Sequence, residues 1–380
     1  MSNAILLAPG PVQLHPEVQK ILALPMIHHR TPEFDQILRR VLENLKFLFQ
    51  TKNHVFMHTS TGSGAMESAL VNLLSSGDEV LCIISGKFGE RWADMAETFG
   101  AKTHRLNVTW GEAVKPEEVE KLLNANPQIK LVLTQACETS TATTHPIEKL
   151  AQIVANTQAL LVVDGITAVG AFPMPMDAWG VDVLIAGSQK AVMLPTGLSF
   201  ISLSEKAWAV LELAKTPRYY FDLRRELKAN KNGETLFSSP VPLVRALDFI
   251  LIRIQELGLE KHFAQLHRRA EFTRVIAGEM KLTLFSKAPS DSVTALQLPA
   301  SVNGVTLREQ LEKKYEVTVM GGQDQAKGKI IRLGHMGYIL DSQLILTMQQ
   351  LAFALKDQGF AIEPEKIKLA SEKWLKDNPL

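Results

Sequence analysis

Between residues 54 and 203, short apolar runs alternate with amphipathic segments. The runs HVFMHT (54–59), EVLCIIS (79–85), KTHRLNV (102–108), IKLVLTQ (129–135), ALLVVD (159–164), VDVLIAG (181–187) and LSFISL (198–203) predict seven strands. Between them lie GAMESALVNLLSS, FGERWADMAETFG, PEEVEKLLNAN and PIEKLAQIVANT. Their apolar residues recur every three to four positions, as in helices that bury one face. Pro116 and Pro146 suit a first helical turn, and Gly100 suits a helix stop. Strand–helix alternation with nearly continuous apolar strands predicts an α/β fold, its mostly parallel seven-stranded sheet covered on both faces.

The pattern changes after about residue 235. A long helix, PVPLVRALDFILIRIQELG, ends at Gly258, and a charged helix, EKHFAQLHRRAEFTRVIAGEM, follows. Then come strand-like SVTALQLP, helix-like GVTLREQLEKKY, strand-like GKIIRLGHM and helix-like SQLILTMQQLAFALKD. This reads as a smaller α+β domain over 241–380, behind a large domain over 31–240. Residues 1–30 carry Pro9, Pro11, Pro16 and Pro25 and read as an extended arm. Residues 217–240 hold few apolar clusters and suit an interface or a connection between domains.

Composition narrows the class. The chain has 380 residues, with 41 Lys plus Arg against 40 Asp plus Glu, a formal charge of +1. That balance argues against nucleic acid or an anionic membrane as the main partner. The apolar run at the N-terminus stops at Pro9, too soon for a signal peptide, and no stretch is long enough for a membrane helix. A cytoplasmic protein is expected. Cys82 and Cys137 sit in apolar runs and read as buried free thiols; two cysteines cannot build a disulfide framework or a cluster site. The histidine pairs His28–His29 and His262/His267 lack the spacing of a metal-binding helix face, and no metal is expected. His28 and His29 fit solvated loop positions, or the border of a site.

Candidate chemistry collects at strand ends. In VDVLIAGSQKAVMLPTG a buried strand ends and Lys190 follows in a turn of small residues near Pro195 and Gly197. A lysine held there, partly desolvated, has a lowered pKa and suits Schiff-base chemistry; a surface lysine with its stem laid along the protein fits equally. In ALLVVDGITAVG, Asp164 ends a buried strand at the edge where open α/β sheets bind ligands, though a turn or cap role is also open. The next apolar run returns Lys190 to the same edge. A lysine and an aspartate together fit pyridoxal phosphate, whose aldehyde needs an amine and whose ring nitrogen needs an acid partner. Ser60 to Gly64 follow a strand and open a helix, either an anion site or an ordinary cap. The absence of GxGxxG after the first strand argues against a nicotinamide dehydrogenase.

SGKFGER, ETST, VVDGITAVG and above all AGSQKAVMLPTG resemble fold-type I, class V pyridoxal-phosphate aminotransferases, in the branch of alanine–glyoxylate and serine–glyoxylate (serine–pyruvate) enzymes. Some bacterial members of this branch carry the name soluble hydrogenase small subunit. The likeness runs from APGPVQLHPEV through IIRLGHMG. It implies that Lys190 carries the Schiff base and Asp164 pairs with the pyridine nitrogen. It places Phe88 on the ring face, where a core phenylalanine is the plain alternative, and Thr139 at the ring hydroxyl, where a strand-end turn is the alternative. Gly62, Ser63 and Gln189 would hold the phosphate. Thr235 and Ser238, in NGETLFSSPVP, would reach the phosphate of a neighbouring subunit, making a homodimer with shared sites. Arg332 would clamp the substrate carboxylate; a domain-interface ion pair is its alternative. The resemblance implies ping-pong transamination from a small amino acid of the alanine or serine type to glyoxylate or pyruvate. Ala142, Thr196 and Ser63 depart from the usual pattern, which bears on substrate preference more than on the cofactor. The competing expectations are a cysteine desulfurase-like lyase, which needs a mobile catalytic cysteine in the C-terminal half, and a non-catalytic subunit of the same fold.

Overall fold

A computed structural model describes residues 4–379. The seven expected strands form one sheet: β1 (Val55–His58), β2 (Glu79–Ile84), β3 (Lys102–Asn107), β4 (Ile129–Gln135), β5 (Leu160–Asp164), β6 (Val183–Gly187) and β7 (Ser199–Leu203). Their order across the sheet is 3-2-4-5-6-7-1. The pairs β2–β3, β2–β4, β4–β5 and β5–β6 are parallel; β7 runs antiparallel to both β6 and β1. Every residue of β1, β5, β6 and β7 is buried. This is why those runs read as continuously apolar rather than alternating. Edge strand β3 is the exception. Lys102 and Arg105 are exposed along it, and charge on an edge discourages pairing with another chain.

Helices cover both faces. On one side Leu38, Leu45, Phe49 and Val163 share a core with Val244, Leu247 and Ile250. On the other, Met66, Leu70 and Trp92 pack on Val80, Leu131 and Val162. The helix Pro32–Phe49 starts where its sequence allows: Thr31 accepts the Phe34 N–H, and Pro32 fills a position that needs no donor. Pro116 opens its helix as expected, whereas Pro146 stands one residue earlier, at the cap of Ile147–Val154.

The C-terminal part holds an antiparallel sheet in the order Thr283–Leu284, Val293–Gln297, Ile330–Gly334, Met320–Gly321. It packs with Phe272, Leu307, Leu351 and Leu355 in a separate core. The helix Val241–Leu257, grouped by its sequence with this part, buries Val244, Leu247, Ile250 and Ile254 in the large core instead. The arm also differs from a simply extended segment. It contains the helix Pro16–Leu22, and Ile5–Leu6 pair in parallel with Val317–Thr318. Ile5 and Leu7 thereby join the C-terminal core. Among the described residues no helix is long and apolar enough to cross a membrane.

Candidate active site

Parallel strands β5 and β6 lie side by side, with Asp164 in register with Ile185. Both chains leave the sheet at the same edge, so Asp164 and the turn bearing Lys190 line one cavity, with Thr61, Gly62, Ser63, Phe88, Thr139 and Gln189. The turn is held by Ser188, which donates to the Pro195 carbonyl at 2.7 Å and accepts from the Leu198 N–H at 3.1 Å. Lys190 is therefore not a solvated surface lysine. Its Nζ donates to the Pro9 carbonyl at 2.7 Å. Burial lowers its pKa to about 8, with Asp164 opposing the shift and Arg332 adding to it.

Asp164 is 5% exposed and accepts one hydrogen bond, from the Ile166 N–H at 2.8 Å. Burial pushes its pKa up to about 6, against the pull of that bond and of the charges on Arg91 and Lys190. A turn role accounts for one oxygen only; the carboxylate is short of partners.

The helix Gly62–Leu73 points its N-terminus at this cavity. The cap residue Thr61 makes no side-chain cap bond, and the first turn holds no acid. N–H groups and hydroxyls are thus free for an anion, on a helix end whose dipole favours negative charge. Close approach favours Gly62: a Cβ there would meet Ile166 Cδ1 at 2.5 Å and displace that side chain. The Gln189 side-chain oxygen, at the same place, is buried with no partner. Phe88 is half-buried with its ring at the cavity, not a core residue. Thr139 shares a hydrogen bond with Thr167 at 2.9 Å.

Arg332 comes from the C-terminal sheet. Nε and Nη2 donate to the Gly321 carbonyl at 3.0 and 2.9 Å, and Nη1 to the Thr139 carbonyl at 2.9 Å. It is buried and makes no ion pair among the described residues, so the domain-interface salt bridge is not what holds it. Thr235 and Ser238 lie apart from this cavity. They line a separate pocket with His58, Tyr220 and Phe237. His28 and His29 stack on each other at 4.5 Å near the surface and line neither pocket.

Several neighbours were not foreseen. Thr61, at the cap position before Gly62, was signalled by the same run of small residues. Arg91, three residues after Phe88, stacks over its ring at 4.9 Å and donates to Ser63 Oγ at 3.1 Å. Cys137 lines the cavity, but burial raises its pKa, away from a reactive thiolate. Glu138 is buried beneath Phe88 and accepts from the N–H groups of Phe88, Gly89 and Ser140 at 3.1, 3.0 and 3.1 Å, fixing the start of the helix Lys87–Thr98. Pro9 and Gly10, in the arm, reach the site as well. A Cβ on Gly10 (φ 128°) would strike the Lys190 amine.

A lysine at a sheet edge, an under-satisfied aspartate beside it and an uncapped helix end fit the aldehyde, ring nitrogen and phosphate of one molecule. The fold and site define a pyridoxal-phosphate-dependent enzyme of fold type I. The family model for class-V aminotransferases matches residues 14–332. The L-aspartate–glyoxylate aminotransferase of Paracoccus denitrificans is 34% identical over 93% of this chain and 92% of its own. The serine–glyoxylate aminotransferase of Methylorubrum extorquens is 33% identical over 99% and 96%. The crystal structure of ureidoglycine–glyoxylate aminotransferase from Bacillus subtilis superposes with a TM-score of 0.93 at 26% identity, covering 99% of both chains. The chain belongs to the class-V aminotransferases, enzymes that use pyridoxal phosphate to exchange amino groups between amino and oxo acids.

Proposed function

We propose that this enzyme moves the amino group of a small amino acid, of the alanine or serine type, to glyoxylate or pyruvate in two half-reactions of a ping-pong cycle. The observation that carries this reading is the shared cavity of Lys190 and Asp164 at the ends of adjacent parallel strands. The relatives named above share glyoxylate and differ in donor, which supports the acceptor more firmly than the donor.

Pyridoxal phosphate, when bound, supplies an aldehyde carbon for the amine and a ring that accepts an electron pair. Thr61, Gly62, Ser63 and Gln189 would hold its phosphate, with Arg91 adding positive charge behind Ser63. Asp164 would face the ring nitrogen and keep it protonated, a gain that also brings the carboxylate the partner it lacks. Phe88 would cover one ring face, and Thr139 would reach the ring hydroxyl. The planar fork of Arg332 is oriented by carbonyls and has N–H donors to spare, so it would bind the substrate carboxylate and aim the Cα–H bond. Lys190, with a pKa near 8, spends part of its time as the free amine near neutral pH. It would take the proton from the substrate Cα and return it to the product.

Thr235 and Ser238 stand outside this cavity, which supports their service to a neighbouring subunit's phosphate in a homodimer. The same stretch carries exposed Tyr219 and Tyr220, the latter stacked on Phe237 at 4.8 Å, as an interface would. The two buried free cysteines support a cytoplasmic setting. A matrix of amino donors against glyoxylate, pyruvate and 2-oxoglutarate, with initial rates at several fixed acceptor concentrations, tests the proposal. Parallel double-reciprocal lines with alanine or serine and glyoxylate are expected. Intersecting lines, or turnover confined to dicarboxylate donors, would overturn it.

A further inference from the structure

Behind the Lys190 turn, on the side away from the cofactor cradle, lies a second cavity of about 240 Å³. Four parts of the chain meet there: the arm at His15, the turn at Ala191 and Met193, the two helices Val241–Leu257 and Leu259–Glu279, and the loop Gly337–Ile339. Its floor is apolar, from Ile250, Ile254, Leu257 and Leu266. Its polar lining is cationic or imidazole: His15, Arg253, His262 and Arg269, together with Gln265 and Tyr338, and among the described residues no carboxylate lines it.

The polar groups are incompletely matched. His262 is 5% exposed, and its Nε2 is buried without a partner. Arg269 is spent on the carbonyls of His335, Gly337 and Ile339 and makes no ion pair among the described residues, so its charge is uncompensated. The acids close enough to act on these cations are engaged elsewhere: Glu17 pairs with Lys20 at 2.7 Å and Asp341 with Arg268 at 2.9 Å. His15 uses Nδ1 to cap its own helix, and its ring is flanked by Phe249 and Tyr338. Arg253 is exposed at the rim over Phe249 and makes no ion pair among the described residues.

An apolar floor, two guanidinium groups that no carboxylate pairs with among the described residues and a buried imidazole nitrogen without a donor together suit a carboxylic acid: an anion for the cations, a proton for the nitrogen and a hydrocarbon body for the floor. We propose that this junction cavity binds a small aliphatic carboxylic acid, its carboxylate between Arg253 and His262, with the acid's proton on His262 Nε2, and its chain on Ile250, Ile254 and Leu266. The site is distinct from the one that binds the transamination substrate and does not depend on the identity of that substrate. Its walls include the residue directly after Lys190 and the segment of the C-terminal part that is tied to the arm, since the Tyr338 N–H donates to the Gln13 carbonyl at 2.9 Å. An occupant therefore contacts both parts of the molecule at once and would restrain their relative movement.

The test is calorimetric titration of the cofactor-loaded protein with 4-methylpentanoate, acetate and inorganic phosphate. Saturable binding of 4-methylpentanoate, one per chain, is expected, with acetate and phosphate weaker. Arg253→Gln and His262→Leu should each weaken it about tenfold or more, the loss of a hydrogen bond to a charged group. Arg253→Gln alters a rim residue and should leave the bound-cofactor spectrum unchanged. Arg332→Gln should leave this binding intact, which separates it from carboxylate capture at the active site. No saturable binding, equal affinity for phosphate, or binding lost in Arg332→Gln but kept in Arg253→Gln would each overturn the proposal.

Discussion

Two buried carboxylates lie near the same cavity, one at the end of β5 and one in the short strand Cys137–Glu138 that follows β4, and their surroundings are opposite. Glu138 receives N–H groups from Phe88, Gly89 and Ser140, the Ser140 hydroxyl and the Gln135 amide. Each of its oxygens has two or more donors. Burial raises its pKa, and those bonds pull the other way. Asp164 receives one N–H. A carboxylate satisfied within the chain maintains the fold, whereas one left short is kept for a partner from outside. The contrast distinguishes the two more sharply than burial does, since both are buried.

The amine that faces Asp164 gives the largest expected effect. Lys190→Ala should lower turnover by about 10⁴-fold or more, at the upper end of general acid–base contributions, and borohydride should no longer fix cofactor to the protein. A variant that still carried fixed cofactor at another lysine would displace Lys190 from the centre of the site. Next comes Asp164→Asn, which should cost on the order of 10²–10³-fold in turnover, as removal of a preorganised charge does.

The same substitution should raise the stability of the cofactor-free protein. In the fold Asp164 titrates near 6, above the 3.8 of an unfolded chain, so the fold favours its neutral form. Its contribution is fully present below about pH 4 and is lost as pH rises through 6, a penalty of at most about 3 kcal/mol at neutral pH. Thermal midpoints of cofactor-free Asp164→Asn and parent should therefore coincide near pH 4 and diverge by pH 8, with the variant higher. A variant less stable than its parent at pH 8 would show that Asp164 serves the fold.

Glu138→Gln should do the reverse. It puts an amide N–H₂ against N–H donors and should cost the fold about 3 kcal/mol with cofactor bound or absent. Turnover should fall less than in Asp164→Asn, through displacement of Phe88. The smallest effect is expected from Arg91→Gln: cofactor affinity about tenfold weaker, by equilibrium dialysis, with turnover at saturating cofactor nearly unchanged.

The sheet and its cofactor edge were legible because strands buried on both faces must be apolar throughout, and because Lys190 and Asp164 are polar interruptions at the ends of such runs. The place of Gly62 and Ser63 at the cavity was legible because a run of small residues between a strand and a helix marks a helix end that other groups can approach closely. Glu138 was not: a single acid in ETST carries no period, and its donors come from residues fifty positions away. Nor was the placement of Val241–Leu257, whose apolar stripe fits either core and is settled by the neighbours that chain geometry brings to it. Pro9 and Gly10 looked like a proline-rich arm because their role depends on a lysine far along the chain. The junction cavity left no trace in any one segment, since each contributes only one or a few of its lining residues.

The arm is held by contacts distant in sequence. Ile5 and Leu6 add to Val317 and Thr318, and the Leu7 carbonyl receives the Gly334 N–H at 2.7 Å, so its place is completed by residues some three hundred positions further along the chain. Such distant closures are slow relative to local ones. Wherever that closure is undone, the Lys190 amine loses the carbonyl that caps it and stands open to an aldehyde.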